Sequence, residues 1–180
     1  MKSVLISIQP KWCELIASGQ KTVEVRKTRP KLEPPFKVYI YQTKHREHNG
    51  PTYSDGKVVG EFTCSQIFPI RVFENGCIQD YMGHYMERSL VPYDDIAAYI
   101  GKEKTGYGWR ISDLVIYDQP RSLTGFYHYC GDDPKCDGCE LLYYSNTECG
   151  KEEFCCSNMY GCKTLKRPPQ SWCYVVEGGE

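Results

Sequence analysis

The sequence predicts an α+β fold in which a β-sheet carries most of the chain and short helices flank it. Three observations support this expectation. Several segments rich in Val, Ile and Tyr alternate apolar with polar residues, the pattern of half-buried strands. Fewer segments have helical spacing, and Gly and Pro residues separate the elements. With 180 residues, the chain is long enough for one domain with a substantial core.

The chain opens with a predicted strand followed by a predicted helix. Residues 3–9 alternate apolar and small polar side chains, as a strand does. Pro10 fits the first position of a helix, and Gly19 fits its C-terminal stop. Within this helix, Trp12 either packs against the sheet or offers a face on which a nucleobase can stack.

The next stretch, GQKTVEVR at residues 19–26, combines the helix stop with a charged strand. Alternation places Thr22, Glu24 and Arg26 on one face of the strand and two valines on the other. Lys21 lies at the strand's entrance. This pattern indicates either an ordinary antiparallel strand with one solvent-exposed face and cross-strand ion pairs, or a strand that binds phosphates and bases.

The rest of the chain continues the β-rich pattern. Further strands are predicted at residues 36–43, 57–73, 107–118 and 171–176, and helical segments within residues 78–101. The run 57–73 contains a glycine and a proline, which predicts a bend such as a bulge.

The octet also contains the pattern G-x-K-x-x-E-x-R, which resembles the signature of ASCH domains, small β-barrel domains similar to the PUA and YTH-like RNA-binding folds. The segments VVGEF with Glu61 and YGWRISDL with Trp109 extend the resemblance. It implies a PUA-like small β-barrel with flanking helices, formed by residues 1–127 plus 171–180. Residues 128–170 lie outside the minimal pattern and are predicted to be an insertion.

The resemblance implies that the barrel cleft binds RNA or a modified nucleotide. Basic side chains suit phosphate, a carboxylate suits a base amino edge, and the fifteen Tyr and three Trp of the chain offer stacking faces. The expected ligand-binding residues are Lys21, Thr22, Glu24, Arg26, Glu61 and Trp109.

Enzymatic alternatives stay open at this point. Some small bacterial ASCH proteins resemble amidohydrolases that remove acetyl from acetylcytidine with a Lys, a Thr and a Glu. Lys21 matches that lysine, but the threonine falls at Glu24. Other ASCH proteins are similar to ribonucleases, where Lys21 and Glu24 would be the catalytic acid and base. An RNA or nucleotide binder, a hydrolase and a protein-interaction domain are therefore all compatible with the sequence.

The charge distribution favours a local basic surface over a generally basic protein. The net charge is −1, which argues against binding nucleic acid through bulk electrostatics. Residues 1–50 nevertheless contain ten basic and four acidic residues, whereas residues 51–180 contain twelve and nineteen. No apolar run is long enough for a membrane helix or the core of a signal peptide. We therefore expect a cytoplasmic protein that does not enter the membrane.

Seven cysteines lie within residues 130–162, a density that predicts either zinc or disulfides. Without an export signal, the C-x-x-C spacing favours structural zinc, held by four thiolates that leave no open position for water. The segment has few aliphatic residues and would need the metal to fold. One or two ions are compatible with seven thiols. The predicted ligands are Cys136, Cys139, Cys149 and Cys155, with Cys130, Cys156 and Cys162 as alternatives.

Overall fold

The computed structural model describes residues 2–46, 52–54, 56–80, 86–129 and 164–177. Strands dominate this part of the chain, and two α-helices accompany them. The helices are α1 (Pro10–Ala17) and α2 (Tyr93–Ile100). The strands, in chain order, are β1 (Ser3–Ile8), β2 (Val23–Arg26), β3 (Phe36–Gln42), β4 (His45–Arg46), β5 (Thr52–Ser54), β6 (Lys57–Val72), β7 (Ile78–Asp80), β8 (Thr105–Arg121), β9 (Phe126–His128) and β10 (Trp172–Glu177).

Eight of these strands form one sheet. Seven follow the order β2-β8-β6-β3-β1-β10-β9, and β7 pairs with β6, while β4 and β5 form a separate two-stranded sheet. Only the β1–β3 pair is parallel among the described pairings. The end strands β2 and β9 do not pair with each other in the described part of the chain. The mostly β architecture with two helices agrees with the predicted class, and the predicted closed barrel is not confirmed.

Strand β1 and helix α1 form as the sequence predicts. All six residues of β1 are buried because both faces of the strand are covered. Pro10 is the first residue of α1, where a missing backbone N–H costs nothing. Gly19 then adopts a φ of +73°, which turns the chain out of the helix toward β2.

Three buried apolar clusters hold the elements together. One packs α1 against the central strands, one packs α2 against β2 and the end of β6, and one lies around β9 and the exit from the cysteine-rich stretch. Trp109, Val25 and Phe126 are buried members of the first, second and third cluster, respectively.

The long antiparallel pair of β6 and β8 is bent by bulges, as predicted for β6. The register shifts between Val58 and Gly60, and at two further points along β6. A Cβ atom at Gly60 would lie 2.5 Å from the backbone oxygen of Val115. Only glycine therefore allows the two backbones to approach this closely.

The helical prediction for residues 78–101 is wrong at its beginning. Ile78–Asp80 forms strand β7, which pairs with Ile70–Val72 at the end of β6. Ile78 packs on the α2 cluster there, so pairing with β6 and burial override local helical spacing. A 3₁₀ turn at Met86–Ser89 follows, and α2 begins only at Tyr93.

Strand β10 lies between β1 and β9. A polar cluster fixes its end: the Tyr39 hydroxyl donates to Glu177 at 2.5 Å, and Arg121 forms an ion pair with the same carboxylate. Burial alone would raise the pKa of Glu177, but the hydrogen bonds from Tyr39 and Arg121 hold it below its ordinary value. The end of β10 is thus tied to both β3 and β8.

All seven predicted zinc-ligand cysteines lie outside the described residues. Within the described ranges, no group of three or more His, Cys, Asp or Glu side chains is arranged to hold a metal ion. The described residues on either side of these cysteines lie next to each other at β9. Thr164 bridges to Tyr127, and the Leu165 amide donates to the Phe126 carbonyl at 2.9 Å.

No helix in the described part of the chain combines the length and the apolar character needed to span a bilayer.

The close spacing of Tyr127 and Thr164 leads to a prediction about the stretch between them. Replacing residues 131–162 with a short Gly/Ser linker should leave the β-sheet folded, because the flanks are joined by backbone hydrogen bonds and closing a short loop costs little. Far-UV circular dichroism and urea unfolding would measure this.

The matched control is Leu165→Ala, which removes a side chain that is 1% exposed just after the replaced residues. This change should cost about 2–5 kcal/mol of unfolding free energy. A linker variant without a cooperative unfolding transition would contradict the prediction and show that the sheet depends on the replaced residues.

Candidate functional site

A cavity of about 690 Å³ opens beside β2. Its walls come from the end of β1, the start of α1, the side chains of β2, part of α2 and the segment 168–170. This volume is within the range of about 300–1,000 Å³ that is usual for small-molecule pockets. Its polar and aromatic lining residues include Ser7, Trp12, Lys21, Glu24, Arg26 and Tyr99.

The loop between α1 and β2 delivers Lys21 to this cavity. The Lys21 amide donates to the Leu15 carbonyl at 2.9 Å, and this bond fixes the chain just after the glycine stop of α1. The side chain is 1% exposed. Its Nζ donates to the Ser89 carbonyl at 2.6 Å and lies 3.3 Å from Glu24 Oε2. Lys21 is therefore a buried ammonium with two oxygen partners.

Glu24 and Arg26 complete a buried charge triad. Arg26 Nη2 lies 3.0 Å from Glu24 Oε1 and donates to the Ser7 carbonyl at 2.7 Å. Both side chains are 9% exposed. All four residues of β2 are buried, so the alternative prediction of a strand with one solvent-exposed face is wrong. One carboxylate between two cations gives Lys21, Glu24 and Arg26 a net charge of +1 when all three are ionised.

Burial changes the acid–base behaviour of Lys21. It lowers the pKa of the Lys21 amine below the ordinary lysine value, and the Glu24 carboxylate offsets only part of this shift. The amine should consequently lose its proton at a lower pH than an exposed lysine does.

Arg26 also carries a free hydrogen-bond donor. Its Nε is buried and has no partner among the described residues. Buried donors are normally paired, and leaving one without an acceptor costs about 1–3 kcal/mol. Since Arg26 lines the cavity, an acceptor atom of a bound molecule can satisfy this donor.

Aromatic and proline residues line the remaining walls. Trp12 is half-buried, and Lys21 Nζ lies 5.2 Å from the centroid of its ring. Tyr99 enters from α2, and Pro168 with Pro169 closes another side. The cavity thus combines a charged group with flat apolar faces, and Trp12 contributes to the site as well as to helix packing.

The comparisons with known proteins identify the fold around this site. A family model described as ASCH domain matches residues 6–119. The chain belongs to the ASCH domain family. No curated protein matches the chain.

Solved structures of an ASCH protein from Zymomonas mobilis are similar to this ASCH domain. The crystal structure of that protein has a TM-score of 0.57 and 18% sequence identity, covering 97% of this chain and 87% of the other. A tyrosine-to-phenylalanine variant and a serine-to-alanine variant have the same TM-score of 0.57 and identity of 18%. They cover 98% and 97% of this chain and 91% and 88% of theirs. At this identity the likeness shows the fold alone.

The ASCH fold brings together three of the six predicted ligand-binding residues. Lys21, Glu24 and Arg26 all line the cavity, whereas Thr22 does not. Thr22 instead fixes the entrance of β2 through its backbone: its amide donates to Arg88, and its carbonyl accepts from Ile111.

Glu61 and Trp109 lie elsewhere in this ASCH domain. Glu61 pairs with Lys37 at 2.8 Å and accepts from the Tyr117 hydroxyl at 2.6 Å, in a cluster that does not line the cavity. Trp109 is fully buried in the core, where Phe36 and Trp172 pack against its ring. It therefore presents no free face for stacking.

Sequence reasoning missed several residues that build the site. Ser7 and Ser89 act through backbone carbonyls, which give no side-chain signal. Asp95 and Tyr99 line the cavity from α2, whose sequence pattern indicates only an ordinary amphipathic helix. Tyr99, an aromatic residue near the C-terminal end of α2, is the one sequence feature that could have indicated this wall of the cavity.

The charge triad predicts a stability cost for removing its central carboxylate. Glu24→Gln keeps the shape but leaves two buried cations without a counter-charge, and this should lower the unfolding free energy by about 3–5 kcal/mol. Urea unfolding at pH 7 would measure the effect.

The matched control is Glu61→Gln, because Glu61 and its partner Lys37 are 21% and 43% exposed. That change should cost no more than about 1 kcal/mol. Equal losses in the two variants would mean that the triad contributes no more than a surface ion pair.

Proposed function

We propose that this ASCH domain binds RNA or a modified nucleotide, with one base in the cavity beside β2. The observation that carries the proposal is the unpaired Arg26 Nε donor inside a cavity that also contains Lys21 and Glu24. Sequence-specific RNA recognition usually takes unstacked bases into such pockets and reads their edges by hydrogen bonds.

The polar groups favour a ligand that is rich in acceptor atoms. Arg26 has a free Nε, and the Lys21 ammonium has three donors, of which Ser89 and Glu24 use two. Base carbonyls, ring nitrogens and phosphate oxygens are the corresponding acceptors. Each oxygen of Glu24 already contacts a cation but can accept a further bond, for example from an exocyclic amine.

The apolar groups favour a flat ligand. The ring of Trp12 lines the cavity, and stacking of a base on an aromatic side chain contributes about 1–3 kcal/mol. A base that contacts both this ring and the charge triad would gain stacking and edge contacts.

A hydrolase is the second candidate, and one observation favours it. The lowered pKa of Lys21 is a property that a lysine base needs. Two observations weigh against it: the position of the amidohydrolase threonine is occupied by Glu24, and Thr22 does not line the cavity.

Variants of Lys21 separate the two candidates. If the protein is a binder, Lys21→Arg should keep the positive charge and most of the RNA affinity. Lys21→Met keeps the length of the side chain but removes the charge, so the RNA affinity should fall about ten- to a hundredfold. In a hydrolase, Lys21→Arg binds but does not turn over, because the guanidinium does not give up its proton. Fluorescence anisotropy with short RNAs and hydrolysis of acetylcytidine or RNA would be measured side by side.

The same variants give a pH test. Wild-type affinity should fall on the alkaline side before an ordinary lysine titrates, because burial lowers the pKa of Lys21. The Lys21→Arg variant should keep its affinity there. Turnover by the wild type that disappears in Lys21→Arg with binding intact would overturn the binder in favour of the hydrolase.

We further propose that the cysteine-rich stretch holds structural zinc in a reducing compartment. The support is the sequence itself: seven cysteines within residues 130–162, with one C-x-x-C pair. Native mass spectrometry should reveal one or two zinc ions that a strong chelator removes. The variant with residues 131–162 replaced by a linker is the matched control and should bind none. A full-length chain that contains disulfides instead of metal would contradict the proposal.

A further inference from the structure

Two exposed lysines lie over aromatic rings at the rim of the cavity. Lys11 Nζ lies 4.5 Å from the centroid of the Trp12 ring, at the start of α1. Lys27 Nζ lies 4.9 Å from the centroid of the Tyr99 ring, which belongs to α2. In each pair the ammonium lies over a face of the aromatic ring, and the two pairs come from different elements.

Both pairs are continuous with the cavity and open to solvent. Lys11, Trp12 and Tyr99 line the cavity, and Lys27 directly follows Arg26. Both lysines are exposed, and Tyr99 is 39% exposed. A molecule that fills the cavity and extends beyond it would therefore meet a lysine and an aromatic ring at each pair.

Lys27 has a distinctive place within the basic run RKTRPK. Arg26 is buried in the charge triad, and Arg29 lies 3.9 Å from Glu33. The backbone amide of Lys31 donates to the Tyr174 hydroxyl. The side chain of Lys27 instead extends over Tyr99, on the cavity side of the run. Lys27 is thus the residue of this run whose exposed ammonium lies over a ring that lines the cavity.

The size of the cavity limits what it can hold. About 690 Å³ suits one small-molecule ligand, such as a base with its sugar, and does not suit a duplex. A nucleic acid chain with one base in the cavity must therefore pass its neighbouring nucleotides over the rim. Proteins that bind single strands combine cationic contacts to phosphate with aromatic faces for bases, which is the composition of the two pairs.

We propose that the Lys11–Trp12 and Lys27–Tyr99 pairs form a two-sided clamp for the nucleotides that flank the base in the cavity. The ligand is then a single-stranded oligonucleotide of at least three residues, and not a free nucleotide. This inference rests on the proposed function, because it needs a base in the cavity. Beyond the proposed function, it specifies a single-stranded oligonucleotide as the ligand and assigns contacts to two residue pairs outside the charge triad.

The test compares ligand length and strandedness on the full chain. A labelled, mixed-sequence single-stranded RNA of seven nucleotides is bound first, and fluorescence anisotropy gives its affinity. Unlabelled competitors follow: the four ribonucleoside monophosphates, mixed-sequence trimers and a blunt-ended RNA duplex without a loop. We expect the trimers to compete at least tenfold better than the monophosphates, and the duplex to compete poorly because its bases are stacked inside.

Rim variants then locate the clamp. Lys11→Ala and Lys27→Ala should each reduce the salt dependence of binding to the seven-nucleotide RNA, by about 0.7 in the slope of log affinity against log salt. Tyr99→Ala should weaken this binding by roughly five- to 150-fold, the range measured for loss of base stacking. The charge-matched control is Lys37→Ala, since Lys37 pairs with Glu61 and does not line the cavity.

The outcomes distinguish this inference from the proposed function. Monophosphates that compete as well as trimers, with rim variants that bind normally, would overturn the clamp while leaving a nucleotide site in the cavity intact. A duplex that competes as well as the single strand would also overturn it. Failure of every RNA and nucleotide to bind would overturn the proposed function together with the clamp.

Discussion

The site depends on one electrostatic constraint, the burial of Lys21, Glu24 and Arg26 at the edge of the sheet. Each side chain is less than one tenth exposed, so water cannot compensate any of the three charges. Removing Glu24 would leave two buried cations without a counter-charge, which costs several kcal/mol. The surrounding chain must therefore hold all three side chains in register at once.

Backbone groups from distant parts of the chain provide this register. The Ser7 carbonyl accepts from Arg26, while the Ser7 hydroxyl donates to the Pro169 carbonyl at 2.6 Å. The cavity wall at Pro169 is thereby linked to the triad through one residue of β1. On the other side, the Ser89 carbonyl accepts from Lys21. Leu90 follows with a φ of 55°, a conformation that costs a non-glycine residue about 1 kcal/mol and that marks this turn as constrained.

The sequence predicted the strand that carries the triad and the face that Glu24 and Arg26 share, because alternation is a local property. It did not predict that this face is buried. The groups around this face include the Ser89 carbonyl, Tyr99 and Pro169, which are more than sixty residues away along the chain, and no local pattern encodes their approach. The helical spacing of residues 78–101 was misleading for the same reason, since pairing with β6 determines the conformation of Ile78–Asp80.

Glu61 shows how register separates residues that a family resemblance groups together. Glu24 is opposite Trp109, and Trp109 is opposite Ile67, whereas Glu61 is opposite Val115. Glu61 is thus six residues along β6 from the row of the triad, roughly 20 Å at the usual rise per residue. Its carboxylate interacts with Lys37 and cannot contribute to the cavity.

The division between triad and rim suggests how affinity and selectivity would be shared in a single-strand binder. The two buried cations share the carboxylate of Glu24 and are fixed by backbone carbonyls, so they suit hydrogen bonding to a base edge in a defined geometry. The exposed lysines of the rim are screened by salt and suit phosphates of any sequence. In such a binder the net charge of −1 gives no overall attraction to nucleic acid, so binding would arise from the local groups of the triad and the rim.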